Sequence, residues 1–109
     1  MASSKEHVNY VIEQLNIAMN GNVSSRAMMG EYVIYYRDKV IGGIYNDRLL
    51  IKVTKASQDL LVQAPLEIPY QGAKEMFKIE DVEDHAFIVK LFETMYPELP
   101  ARKPRKKKI

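Results

Sequence analysis

The segment of residues 23–54 constrains the fold more than any other part of the chain. It is rich in β-branched and aromatic residues, and short polar turns interrupt it at residues 37–39 and at residues 46–47. The second turn, Asn46 followed by Asp47, suits a two-residue hairpin loop, because such a loop requires positive φ and these residues tolerate it. The segment therefore predicts three or four consecutive antiparallel strands.

Amphipathic helices are predicted on both sides of this segment. Ser3 and Glu6 have the spacing of a capping box, and residues 20–21, Asn-Gly, are a natural helix end. Asp81 and Asp84 stand where the N-cap and a first-turn acid of a last helix would stand. The predicted apolar faces are Val8, Val11, Ile12, Leu15 and Met19 in the first helix, and Phe87, Ile88, Leu91, Phe92 and Met95 in the last.

Two shorter elements are predicted between the hairpins and the last helix. Residues 56–63 have a helical pattern that Pro65 ends, residues 65–74 read as a loop, and residues 75–79 read as one more strand. The predicted fold class is α+β. An antiparallel sheet of about four or five strands carries an N-terminal helix, a short middle helix and a C-terminal helix packed on one face.

The positive charge of the chain is concentrated at its C-terminus. Six of the 16 lysines and arginines lie within residues 102–108, so residues 1–101 hold ten basic and 14 acidic residues, a charge of −4. Such a block predicts a disordered basic tail over residues 101–109. The tail either binds nucleic acid through phosphates, without sequence preference, or serves only to keep the chain soluble. The candidate nucleic-acid residues are Arg102, Lys103, Arg105, Lys106, Lys107 and Lys108.

Several classes of site are excluded or disfavoured. The chain has no cysteine, which excludes disulfides, thiol catalysis and cysteine-ligated metal centres. His7 and His85 lack partners at metal-binding spacing, and the acids at residues 80–84 are explained by a helix N-terminus. We therefore expect no catalytic residue, no metal and no cofactor. Without a secretory signal or a membrane-length apolar run, we expect a cytoplasmic protein that does not contact the membrane.

A second group of basic residues falls within the predicted sheet. If the strands pair as the turns indicate, Arg26, Arg48 and Lys52 fall near one another on the less buried side. This patch is a candidate surface for an acidic partner. In the alternative interpretation, Arg26 pairs with Glu31 and other acids of the sheet.

Residues 24–53, SSRAMMGEYVIYYRDKVIGGIYNDRLLIKV, resemble the N-terminal domain of the TfoX/Sxy family of competence regulators. The family pattern is matched by residues 26–30, 33–35 and 47–53, and residues 69–84 resemble its Pro-Tyr, Met and acidic segment. The resemblance extends over roughly residues 5–100. It implies a TfoX N-terminal-like domain over residues 1–100, standing alone without the helical C-terminal domain of the two-domain regulators. It also implies a role with a DNA-bound transcription factor in activating DNA-uptake genes.

Two functions remain open at this level. The first is a non-enzymatic regulatory or adaptor domain, a monomer or homodimer, that binds a protein partner while its tail touches nucleic acid. The alternative is a small-ligand-binding or uncharacterised enzymatic domain. A deep pocket with convergent polar groups would favour the alternative, and an open surface patch would favour the first.

Overall fold

One antiparallel sheet with three helices on one face forms the protein. The computed structural model describes residues 4–28 and 31–100, and within these the sheet has six strands in the order β1-β2-β3-β4-β6-β5. The elements are α1 (Lys5–Met19), β1 (Val23–Met28), β2 (Glu31–Tyr36), β3 (Lys39–Tyr45), β4 (Arg48–Ile51), α2 (Lys55–Leu60), β5 (Leu66–Glu67), β6 (Met76–Ile79), α3 (His85–Met95) and the 3₁₀ turn Tyr96–Glu98. The predicted α+β class is confirmed, with slightly more strands than expected.

The ends of the helices follow from local side-chain chemistry. The N-cap of α1 is Ser4 and not the predicted Ser3, since the Ser4 hydroxyl accepts a hydrogen bond from the His7 amide at 3.1 Å. The helix ends at Asn20, whose φ of 58° is the left-handed conformation of a C-cap. The N-cap of α3 is Asp84, which was predicted as a first-turn acid, and not Asp81. Both ends of α1 are therefore fixed by the residue types that helices prefer there.

The two predicted turns join the strands as tight hairpins. Asn46 and Asp47 have φ values of 54° and 63°, and Arg37 in the other turn has 61°. These angles match the twist of the flanking strands. The register of β2 against β3 shifts between Ile34 and Tyr35, which is a bulge in the ladder. The additional strand β5 lies in the segment predicted as a loop and pairs with β6.

The core fills the space between the helices and one face of the sheet. Leu15 of α1 and Phe92 of α3 are fully buried there, and the ring of Phe92 lies 5.6 Å from that of Tyr36. Side chains of the middle strands, such as Ile34 and Ile51, complete this layer. None of the helices in the described residues is long and apolar enough to cross a membrane.

Gly42 and Gly43 allow the central strands to approach closely. A Cβ atom at Gly42 would overlap the carbonyl oxygen of Leu50, which is backbone and cannot move aside. A Cβ atom at Gly43 would lie 2.7 Å from the carbonyl oxygen of Tyr32 and 2.5 Å from the ring of Tyr45. The Tyr45 ring can therefore lie over residue 43 only because that residue has no side chain.

We expect Gly42→Ala to lower the free energy of unfolding by about 1–3 kcal/mol, because the added methyl group overpacks the β3–β4 pair. Urea unfolding of the purified chain measures this. Ser25→Ala, on an exposed strand position, is the control and should change stability by less than about 0.5 kcal/mol. Equal stabilities for the two variants would show that β3 and β4 move apart to admit the added methyl group without a loss of stability.

Candidate functional site

The face of the sheet turned away from the helices is the candidate site. Residues opposite one another on neighbouring strands point to the same side. Ile34, Gly42 and Ile51 form one such row on the helix side, so the adjacent row lies on the other side. This second side, here called the open face, carries Ser24, Arg26, Met28, Glu31, Val33, Tyr35, Val40, Gly43, Tyr45, Arg48, Leu50, Lys52, Glu67, Met76 and Lys78.

The segment of residues 68–75 crosses one half of the open face. Leu50 points to this face, yet it is fully buried and lies outside the main core, because the segment covers it. The rings of Tyr45 and Tyr70 lie 5.9 Å apart where the segment meets the sheet. Beside them runs an open groove of about 360 Å³, lined mainly by apolar side chains and by the basic residues Lys52 and Lys74 with the acid Glu75.

Arg48 holds this covering segment against the sheet. Its Nη1 atom forms an ion pair with the Glu67 carboxylate at 2.5 Å, and Nη2 donates to the carbonyl of Ile68 at 3.4 Å. Its Nε atom donates to the carbonyl of Tyr45 at 3.1 Å. A guanidinium group has five donors in a fixed plane, which suits this connection of three points. Arg48 is therefore engaged within the domain.

Arg26 and Lys52 are placed differently from Arg48. All three predicted residues lie on the open face, but Arg26 is on β1, three strands from β4, or about 14 Å away. Neither Arg26 nor Lys52 has an ion-pair partner within 4 Å among residues 4–28 and 31–100. Glu31, the alternative partner proposed for Arg26, accepts a hydrogen bond from the Asn46 amide at 3.0 Å. The structure brings the three cations to one face without joining them in one cluster.

Tyr45 supplies the groove with a neutral hydroxyl group. Burial, followed by the proximity of Tyr70 and of Glu31, raises the pKa of the Tyr45 hydroxyl above its ordinary value. Ionisation in a half-buried position costs free energy because the phenolate would lose hydration. At neutral pH the group therefore keeps its proton and can donate a hydrogen bond to a bound molecule.

A second cleft, of about 440 Å³, lies at the β3–β4 turn. Two of its polar groups are engaged in hydrogen bonds: Tyr10 donates to Glu83, and Asp47 accepts from the Ser4 amide at 2.7 Å. The hydrogen bond with Glu83 is also the first cause that raises the pKa of Tyr10. In the described part of the chain, no group of three or more His, Cys, Asp or Glu side chains could hold a metal ion. The hydrogen bonds in this cleft connect α1 and its N-cap to the segment before α3 and to the β3–β4 turn.

Sequence reasoning missed the groove, because the groove depends on how residues 68–75 fold back over the sheet. The groove could have been indicated by the aromatic residues Tyr45 and Tyr70 and the cations Lys52 and Lys74. However, no local sequence pattern shows that these residues lie together. The predicted nucleic-acid residues at positions 102–108 lie outside the described residues.

Comparison with known proteins gives two matches. The model of a family described as the TfoX N-terminal domain matches residues 13–99. A protein of Spirochaeta aurantia named "Uncharacterized 12.7 kDa protein in trpE 5'region" is 32% identical over 109 residues, covering 99% of this chain and 93% of that relative. None of the solved structures matches the chain.

We expect Arg48→Ala to lower the free energy of unfolding by about 1–2 kcal/mol, because three hydrogen bonds are lost at a partly exposed site. Lys52→Ala, on the same face just beyond the other end of β4, is the matched control and should change stability by less than about 0.5 kcal/mol. Urea unfolding of both variants measures the difference. If both variants were equally stable, Arg48 would not hold the covering segment.

Proposed function

The chain belongs to the TfoX N-terminal domain family, and from that premise we propose that it is a non-enzymatic regulatory domain that binds another protein through its open face. The charge of this face carries the proposal. The open face and the segment crossing it contribute five basic side chains and three acidic ones, whereas the domain as a whole has ten basic and 14 acidic residues. The excess of positive charge is confined to the side that no helix covers.

The chemistry of this face favours an acidic protein surface with apolar side chains. Lys52 and Lys74 offer unpaired ammonium groups at the groove within the described structure, while Tyr45, Tyr70 and Val53 offer apolar area. Complementary charge of this kind speeds association and selects partners. The family resemblance suggests a partner in transcription, such as the DNA-bound factor with which competence regulators act.

The arrangement of polar groups supports binding in preference to catalysis. In the cleft at the β3–β4 turn, Tyr10 donates to Glu83 and Lys78 forms an ion pair with Glu80, so these side chains bind each other and do not converge on an empty space that a substrate could fill. The groove of the open face is shallow, and no histidine lines it. These features support the regulatory function over the alternative of an enzymatic domain.

The basic tail extends the proposal to nucleic acid. Six positive charges within residues 102–108 can neutralise several phosphates, and contacts of this kind are independent of sequence. Because the rest of the chain has a charge of −4, we propose a weak contact that is very sensitive to salt. The tail would then help a domain bound to its protein partner to remain near DNA.

We expect a photo-crosslinking amino acid at position 70 to capture a discrete protein in cells that produce the chain, because Tyr70 is 62% exposed on the groove wall. Position 17 is the matched control, since Ile17 of α1 is 54% exposed on the opposite side of the molecule. Mass spectrometry of the adducts identifies the partner. Adding Lys52→Glu and Lys74→Glu should reduce the adduct severalfold.

Adducts formed from position 17 and not from position 70 would place the interface on the helices and contradict the proposal. If neither position formed adducts, the proposal that the chain binds a protein through either surface would be contradicted.

For the tail, we expect fluorescence anisotropy with a labelled DNA duplex to show binding by the full chain and loss of binding by a chain that ends at residue 101. Neutralisation of about six phosphates gives a slope of roughly −5 in a plot of log affinity against log salt concentration. Equal binding by the two forms would assign the contact to the folded domain. Absence of binding by both at low salt would make the tail a solubilising segment.

A further inference from the structure

The two edges of the sheet are protected very differently. At one edge, β5 has only two residues, with Pro65 before it and Pro69 shortly after it. At the other edge, β1 has six residues, pairs with β2 in an unbroken register and contains neither proline nor lysine. Short strands, prolines, lysines and bulges are the means by which proteins prevent edge strands from pairing with other chains. The β1 edge has none of these, although Arg26 gives it one charge.

The direction of the backbone groups in β1 can be derived from two hydrogen bonds. The carbonyl of Asn22 accepts from the amide of Arg37 at 2.8 Å, so the carbonyl of residue 22 points toward β2. The amide of Val23 turns the other way and donates to Oδ1 of Asn16 at 2.8 Å. Backbone groups alternate along an antiparallel strand. The amides and carbonyls of Ser25 and Ala27 therefore point away from the sheet.

These outward groups are available to another strand. Among the described residues, the amides of Ser25 and Ala27 take part in no backbone hydrogen bond outside the β1–β2 ladder, from which they point away, and residues 24–28 are all exposed. Ser25 and Ala27 have small side chains, so they leave room beside the strand. Only Val23, at the beginning of the strand, has its outward amide capped by α1. The part of the β1 edge that is free for pairing therefore begins after Val23.

We propose that β1 binds an extended acidic segment of another protein, which joins the sheet as a seventh strand. This inference rests on the proposed function and names the edge that the partner uses. Main-chain hydrogen bonds to Ser25 and Ala27 supply the affinity, and alternate side chains supply the specificity. On the open face the partner strand places an acid opposite Arg26 and an apolar side chain opposite Met28, which is 51% exposed.

An acidic segment fits this edge better than a second copy of the chain. If two β1 strands paired about Ser25, both Arg26 side chains would lie on one face, about 8 Å apart. No residue of β1 is acidic, so neither copy could offset this repulsion from its edge strand. A partner with acids at alternate positions removes the repulsion and pairs the guanidinium group.

The test uses the full chain and a fluorescein-labelled octapeptide of alternating glutamate and valine, with binding followed by anisotropy. Ala27→Pro removes one outward amide and should weaken binding about tenfold or more. Leu66→Pro is the matched control at the other edge. The amide of Lys78 donates to the Pro65 carbonyl, so residue 66 also points outward, and this variant should bind within about twofold of the wild type.

Two further measurements separate edge pairing from simple charge attraction and from misfolding. The same peptide with alternate amides N-methylated keeps its charge and its attraction to the basic tail, and it should lose binding because it cannot form the strand ladder. Arg26→Glu should weaken binding about fivefold without removing any backbone donor. Both tests remain informative if Ala27→Pro fails to fold, which circular dichroism would show.

Equal affinities for Ala27→Pro and Leu66→Pro, or for the methylated and unmethylated peptides, would overturn the proposal. Concentration-dependent dimerisation in sedimentation experiments that Ala27→Pro abolishes would also overturn it, because the edge would then serve a second copy. If the peptide fails to bind while crosslinks from position 70 persist, the proposed binding at the β1 edge is wrong and the proposed function stands. If the peptide binds and those crosslinks are absent, the edge stands and the open-face function fails.

Discussion

A single apolar layer, between the sheet and the helices α1 and α3, holds this protein together. Leu15, Phe92 and Ile51 are fully buried in it, and a chain of about 100 residues has enough apolar side chains for one such layer. The opposite face of the sheet must therefore be polar or be covered by another segment. Both solutions occur: residues 68–75 cover Leu50, and most of the remaining positions on the face carry polar or charged side chains. The candidate site is a consequence of this one-sided core.

Arg48 determines how the uncovered face is divided. By binding Glu67 and the Ile68 carbonyl, Arg48 holds the segment after α2 against the sheet. The first residues of this segment form the two-residue strand β5. This short strand closes one edge of the sheet and creates the groove beside Tyr45 and Tyr70. The other edge has no comparable arrangement. The difference in protection between the two edges therefore results from the contact of Arg48 with Glu67, which lies nineteen residues away along the chain.

The sequence predicts those parts of the fold that depend on local chemistry. The helices, the hairpin at Asn46 and Asp47 and the α+β class follow from periodicity, caps and positive φ, and the structure confirms them. Strand β5 and the groove depend on the distant contact of Arg48 with Glu67, which no local pattern reveals. Alternation also placed Arg26 and Lys52 correctly on one face, but their separation depends on the order of strands in the sheet, which a single sequence does not contain.

The last described residues lie at the opposite end of β3 from the cleft at the β3–β4 turn. Lys39 lies 4.2 Å from the ring centre of Tyr96, which ties the C-terminal 3₁₀ turn to the β2–β3 turn. The cleft containing Asp47 and Glu83 lies at the β3–β4 turn, at the other end of β3. Seven strand residues span about 20 Å, more than twice the distance over which physiological salt screens charge. Charges at the β2–β3 end of the domain are therefore strongly screened from the acids of this cleft, so the two ends of β3 are electrostatically nearly independent.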